Sequence, residues 1–203
     1  FMMEVAQRTQ ADQKGGHLAR LPDGRLLLRE IAQCPSDEHG FFKDIQRHPF
    51  FNTNNIWVNL PALAKKMDEA RPLALPLILN RKNLDPRDEN SRPVYQVETA
   101  MGAAISLFEG AAAVSVPRTR FIPVKTTADL LGVRSECFVL TEDFRVRPNP
   151  RAAACPPLIR LDERYYRQLD MFEERLPEIP DMTGCTALEV NGDVFFEPGI
   201  IFR

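Results

Sequence analysis

"FNTNNIWVNL", residues 51–60, reads as an extended segment that runs directly into a helix. From Leu60 onward Leu63, Ala64 and Met67 fall on one face at helical spacing, so the spacing predicts a helix over 60–70. The extended part is unusual, because asparagine is depleted in strands and three of them, Asn52, Asn54 and Asn55, cluster here. Strand alternation places Asn52 and Asn54 on the same face. Two readings stay open: turn and cap chemistry, or a pair of amides that both donate and accept hydrogen bonds, as sugar hydroxyls require.

Working outward, residues 1–6 and 17–32 read as strands, the second as a hairpin turning at Pro22-Asp23-Gly24. "SDEHGFFKDIQ" (36–46) reads as a short helix opened by Ser36. "LALPLILN" (73–80) is a continuous apolar run of the kind buried in a parallel sheet, and 81–93 is a polar loop. Val97, Met101, Ala104, Ile105 and Phe108 recur at helical spacing and predict a buried helix over 95–109, with Glu98 in its first turn. "AAVSVP" is a further strand and 126–140 a further helix. Strands and helices alternate at lengths that suit crossover units, so the class is α/β.

Near residue 141 the texture becomes proline-rich and basic, as in a linker or an arm, and "LDERYYRQLDMFEERLP" beyond it is helical in part. At the end, Leu188, Val194 and Ile200 are spaced six apart, as are Val190, Phe196 and Phe202. These two columns suit hexapeptide coils of a parallel β-helix; a plain hairpin turning at Asn191-Gly192 explains them equally. "FMMEVAQ" at one end and "FFEPGIIFR" at the other both read as interior to a longer chain.

Composition excludes more than it selects. The hydrophobic share of the 203 residues is 44%, charged residues are 27%, and the net charge is −2 with both signs interspersed. Nothing there favours nucleic acid or an anionic membrane as partner, and no apolar run approaches a membrane span. Cys34, Cys137, Cys155 and Cys185 are far apart and form no C-x-x-C pair, which favours free thiols in a reducing cytoplasm over a secreted disulfide framework. His17, His39 and His48 form no metal or triad pattern and read as surface or hairpin residues.

The remaining candidates are local. Gly15-Gly16 either makes a turn or lets a ligand approach the backbone closely. Arg118 and Arg120 in "PRTRF" could clamp phosphate, or lie exposed beside a strand end. In "RFIPVKTTADLL" (120–131), Thr126 and Asp129 have capping-box spacing. Lys125 then sits just ahead of a helix N-terminus, where the macrodipole prefers negative charge. It either bends into water or shares an anion with the helix end.

In order and spacing, "KGG" (14–16), "EIAQ" (30–33), "FNTNNIWVNL" (51–60), "VYQVETAMGAAI" (94–105), "VPRTRFIPVKTTADLL" (116–131) and "VNGDVFF" (190–196) resemble eukaryotic-type UTP–glucose-1-phosphate uridylyltransferases, the UDP-glucose pyrophosphorylases. The resemblance covers nearly the whole sequence. It implies an α/β fold: the second half of a Rossmann-like nucleotidyltransferase core over 1–140, a connecting arm over 141–186, and the first coil of a C-terminal left-handed β-helix over 187–203. It implies the formation of UDP-glucose and pyrophosphate from UTP and glucose 1-phosphate with magnesium, whose ligands are expected mainly in a preceding half. It assigns Lys125 to the phosphates and Asn54 to the glucose, with Asn52, Glu30, Gly15 and Gly16 around the sugar, and no metal ligand among these residues. Gly132 departs from the family, which usually has an apolar residue there. Residues 1–203 alone are expected to be inactive, and self-association is expected through the β-helix or through exposed core strands. Pyrophosphorylases for N-acetylhexosamine or broader sugar phosphates, and a non-catalytic assembly fragment, are the alternatives.

Overall fold

The backbone order follows from where strand-forming runs meet turn residues, and a computed structural model describes it for residues 1–9, 12, 15–69, 73–88 and 90–202. Lys14 of the "KGG" motif lies outside the described residues. The chain divides into two units, Phe1–Phe121 and Ile122–Arg203.

In the first unit, β1 (Met2–Gln7) is the centre of a three-stranded sheet. It pairs antiparallel with β4 (Phe50–Trp57) and parallel with β7 (Ala112–Val116). The expected hairpin is present as β2 (His17–Arg20) and β3 (Leu26–Arg29), in register from His17 opposite Arg29 to Arg20 opposite Leu26. Its turn needs Gly24 at φ +88°, a conformation open to glycine. A 3₁₀ turn, Ser36–Glu38, leads into α1 (His39–Lys43), and α2 (Leu60–Glu69) follows β4 as expected. Met3, Val5, Leu28 and Ile105 form the core of this unit.

Two expectations fail here. The run at 73–80 does not enter a parallel sheet: β5 (Leu77–Asn83) pairs antiparallel with β6 (Pro93–Thr99), and Leu77 and Leu79 are exposed. The helix over 95–109 is absent. Tyr95 to Thr99 belong to β6, and a 3₁₀ segment, Met101–Leu107, buries Gly102, Ala103, Ala104 and Ile105. Glu98 is therefore a strand residue, accepting a hydrogen bond from Asn80 Nδ2 at 2.6 Å. His17 is in the hairpin but not at the surface. It is fully buried, stacked at 3.8 Å on His48 and at 4.5 Å against Phe42.

In the second unit, α3 (Thr127–Arg134) ends before the expected residue 140, and β8 (Phe138–Leu140) turns back through β9 (Val146–Pro148). The proline-rich stretch thus contributes a strand to a hairpin. Beyond it come β10 (Leu158–Leu161), α4 (Glu163–Tyr166), α5 (Leu169–Arg175) and β11 (Ala187–Val190). β10 and β11 pair in parallel, and Asp181 bridges Ile201 in parallel, so Asn191-Gly192 turns no hairpin. Leu188, Val194, Phe196 and Phe202 pack on a core of Leu131, Cys137, Tyr166, Phe172 and Met182. Among the described residues no helix is long and apolar enough to cross a membrane, and all four cysteines are free.

Candidate functional site

The residues that sequence reasoning selected around a sugar come together in the first unit. β4 does not run straight against β1: Met3 lies opposite Ile56 but Val5 lies opposite Asn52. Glu4 alone therefore faces Thr53, Asn54 and Asn55, an enlarged β-bulge that re-aims the side chains it carries. Asn54 stands at the crest with φ 62°, a left-handed conformation that asparagine tolerates better than most residues. The simple alternation expected of Asn52 and Asn54 is broken, yet their side chains meet. Asn52 Nδ2 donates to Asn54 Oδ1 at 2.8 Å, and the Asn54 N–H donates to Asn52 Oδ1 at 2.9 Å. Asn52 is buried and Asn54 exposed, so the inner amide steadies the outer one.

The glycines join the same cluster. The Asn52 N–H donates to the Gly16 carbonyl at 2.8 Å. A Cβ on Gly16 would lie 2.5–2.6 Å from the Glu30 carboxylate, so glycine at this position lets Glu30 lie against the backbone. Gly15 closes a turn onto Asp12 and faces the Phe51 ring, which a Cβ would meet at 3.1 Å. Gly102 is the floor beneath Asn52, where a Cβ would lie 2.7 Å from Leu28 and 3.3 Å from Asn52 Nδ2. An open cavity of about 530 Å³ runs from Glu30 and Gln33 to Leu77 and Leu79. A carboxylate, two linked amides and glycine backbone within one cluster can exchange hydrogen bonds with several hydroxyls at once.

Sequence reasoning missed the acid beneath this cluster. Glu4 is 3% exposed and accepts from Trp57 Nε1 at 2.9 Å and Asn55 Nδ2 at 3.4 Å. Both its oxygens also accept from Arg120, at 2.9 Å each. The Arg120 guanidinium, then the Trp57 hydrogen bond, hold its carboxyl down to about 2. Arg120 is thus engaged internally, and Arg118 pairs with Asp12 at 3.2 Å while lying over the Phe51 ring. The two arginines are spoken for by protein carboxylates rather than held open for phosphate.

Lys125 is in the second unit, ahead of α3. The capping box is real: Thr126 Oγ1 accepts from the Asp129 N–H at 3.2 Å, and Asp129 Oδ2 accepts from the Thr126 N–H at 2.8 Å. The Lys125 N–H donates to the same oxygen at 2.9 Å. Asp129 is therefore the anion at this helix end, and it removes the electrostatic puzzle posed by the sequence. The Lys125 side chain is exposed. Among those residues, no group of three or more His, Cys, Asp or Glu is gathered to hold a metal ion. Glu4 is already engaged by the donors of Trp57, Asn55 and Arg120.

A family model described as UTP--glucose-1-phosphate uridylyltransferase matches residues 1–203. The UTP--glucose-1-phosphate uridylyltransferase of Musa acuminata is 40% identical over all of this chain and 42% of its own length. That of Saccharomyces cerevisiae is 40% identical over all of this chain and 40% of its length. Among solved structures, a UDP-glucose phosphorylase from Trypanosoma brucei superposes with a TM-score of 0.82 at 47% identity, over 93% of this chain and 41% of that one. A mutant UDP-glucose pyrophosphorylase from Leishmania major, in complex with UDP-glucose, gives 0.80 at 45% identity over 93% and 42%. The chain thus spans about two-fifths of the length of the relatives it matches. Within that span the family match is continuous from residue 1 to 203, and the chain belongs to the UTP–glucose-1-phosphate uridylyltransferase family.

Proposed function

We propose that the protein to which these residues belong transfers the uridylyl group of UTP to α-D-glucose 1-phosphate. A phosphate oxygen of the sugar phosphate bonds to the α-phosphorus of UTP, the bond from that phosphorus to the bridging oxygen breaks, and pyrophosphate leaves. The observation that carries this reading is the joining of Glu30, Gly16, Asn52 and Asn54 in one polar cluster. Asn54, with Glu30 and the Gly15-Gly16 backbone beside it, takes the glucose, and Lys125 takes phosphate charge. Such a transfer depends on positioning and charge neutralisation rather than on a covalent nucleophile. Magnesium supplies further neutralisation in this reading, and its ligands come from parts of the family's chain not represented in residues 1–203.

The same reading assigns 1–140 to the second half of a Rossmann-like nucleotidyltransferase core, 141–186 to a connecting arm and 187–203 to the first coil of a β-helix. The parallel β10–β11 ladder and the parallel Asp181–Ile201 bridge support the last assignment, since stacked coils pair their strands in parallel. Four free thiols suit a reducing cytoplasm. Self-association through the final coil or exposed strand faces belongs to the same proposal.

The test is UDP-glucose formation by the intact protein, with Asn54→Gly as the variant. Glycine keeps the positive φ without strain, so only the amide is lost. The expected result is a KM for glucose 1-phosphate raised roughly 3–10-fold, as for one lost hydrogen bond, with the KM for UTP little changed. No UDP-glucose from the wild type, or preference for an N-acetylhexosamine phosphate, overturns the reading. Residues 1–203 alone are expected to show no turnover.

A further inference from the structure

Glu4 takes no part in the transfer as derived above, yet its carboxylate accepts four side-chain hydrogen bonds. One residue of β1 faces three of β4, so the bulge has lost regular ladder partners. Glu4 replaces them: its carbonyl accepts from Thr53 Oγ1 at 2.9 Å, and its carboxylate reaches Asn55 on one side of Asn54's crest and Trp57 beyond it. Arg120 then fixes the plane of the carboxylate through both oxygens. The residue between these anchors is Asn54.

We propose that Glu4 is a positioning residue for the sugar phosphate, holding the bulge in the shape that presents Asn54, with Arg120 holding Glu4. This rests on the uridylyltransferase reading. The hydrogen-bond inventory makes it specific. Oε1 accepts from Trp57 and Arg120 Nη2, and Oε2 accepts from Asn55 and Arg120 Nε. Every partner is a donor, so Glu4→Gln, though isosteric, must set its NH₂ against donors at one of the two positions. Residue 4 itself is buried, so the mismatch costs the bulge at least one hydrogen bond from β4 or Arg120.

In the intact protein, Glu4→Gln should raise the KM for glucose 1-phosphate roughly 10-fold and leave the KM for UTP within about two-fold. In an Asn54→Gly background the same change should add less than about two-fold, because a residue that acts through Asn54 has nothing left to position. Arg120 is half exposed, so Arg120→Gln provides a milder second variant, with the same selectivity and a smaller rise. Equal rises in both KM values, or full additivity with Asn54→Gly, overturn the inference. If the wild type forms no UDP-glucose, the functional reading falls, and hydrogen exchange still decides this one. Amides of Thr53–Asn55 should exchange faster in Glu4→Gln or Arg120→Gln while those of α2 do not; unchanged exchange in the bulge overturns it.

Discussion

The Glu30 carboxylate lies over Gly16 so closely that a Cβ there would sit 2.5 Å from Oε1. The obstructing atoms are the far end of a flexible side chain, so Gly16→Ala can be relieved by swinging Glu30 aside. The fold should survive and the sugar cluster should not. Gly16→Ala is expected to raise the KM for glucose 1-phosphate by roughly 10-fold or more while the KM for UTP holds. An unchanged sugar KM in a folded variant would remove Glu30 and Gly16 from the site.

His17 makes stability depend on acid. Among the described residues, neither of its buried ring nitrogens has a hydrogen-bond partner. Burial first, then His48, Arg8 and Arg29, push its titration from 6.5 down to about 3. His48 is lowered too, by burial and by Arg29, Arg47 and Arg8, with Asp44 opposing. The folded state thus holds a neutral imidazole. Above pH 6.5 both states are neutral there and the contribution is complete. As pH falls from 6.5 towards 3, the unfolded chain takes up a proton that the folded one refuses, and stability declines by at most about 1.4 kcal/mol per pH unit for this proton. Urea unfolding near pH 7.5 and near pH 5 should show the loss, and His17→Phe, which keeps a stacking ring, should reduce it. An equal loss in both proteins would assign the effect to other groups.

The elements read correctly from sequence are those whose determinants are local. Pro22-Asp23-Gly24 makes its turn whatever surrounds it, and Thr126 and Asp129 cap α3 from within one turn. The misread region, 93–108, carries two signals. Val94, Tyr95, Val97 and Thr99 are strand formers, but the apolar residues from Val97 to Phe108 also fit the helical period that predicts a helix over 95–109. What settles the choice is β5, whose seven residues pair with β6 from Leu77–Thr99 to Asn83–Pro93. Within the site, three clustered asparagines announced something unusual, while the bulge that explains them was hidden. Its organiser, Glu4, meets Asn55, Trp57 and Arg120 at separations of 51, 53 and 116 residues, and no spacing rule connects such positions.

Gly132 tests how well α3 is packed. The helix runs through it to Arg134, and a Cβ there would meet Ile159 Cδ1 at 3.4 Å and Pro156 Cβ at 3.8 Å. Both are ordinary contacts. Gly132→Ala should therefore stabilise the protein by about 0.5–1 kcal/mol, the helix-interior difference between the two residues, with no loss of activity. Chemical denaturation checks it; a lowered midpoint would mean that α3 packs against Ile159 and Pro156 too closely for a methyl group.

Lys125 remains the strongest candidate for work on phosphate, though not for the reason its position first suggests. The N-terminus of α3 is already served by Asp129, which accepts from Thr126 and from Lys125's own N–H. No vacant dipole calls for an outside anion. Instead the cap fixes the backbone of Lys125 rigidly while the ammonium stays exposed. A tethered cation on a fixed backbone has a limited arc to search, and it can follow charge as it moves onto phosphate oxygens in the transition state. Lys125→Met keeps the apolar stem and removes the charge. In the intact protein it should lower kcat roughly 10²–10³-fold, as when one preorganised donor is lost. Thermal stability should be unchanged, because the cap uses only the backbone of residue 125. Asp129→Asn separates the two roles: it should weaken the cap and lower thermal stability, and lower kcat less than Lys125→Met does. If Lys125→Met stays within a few-fold of wild type while folded, the lysine is a solvent-facing residue and the phosphates are held elsewhere.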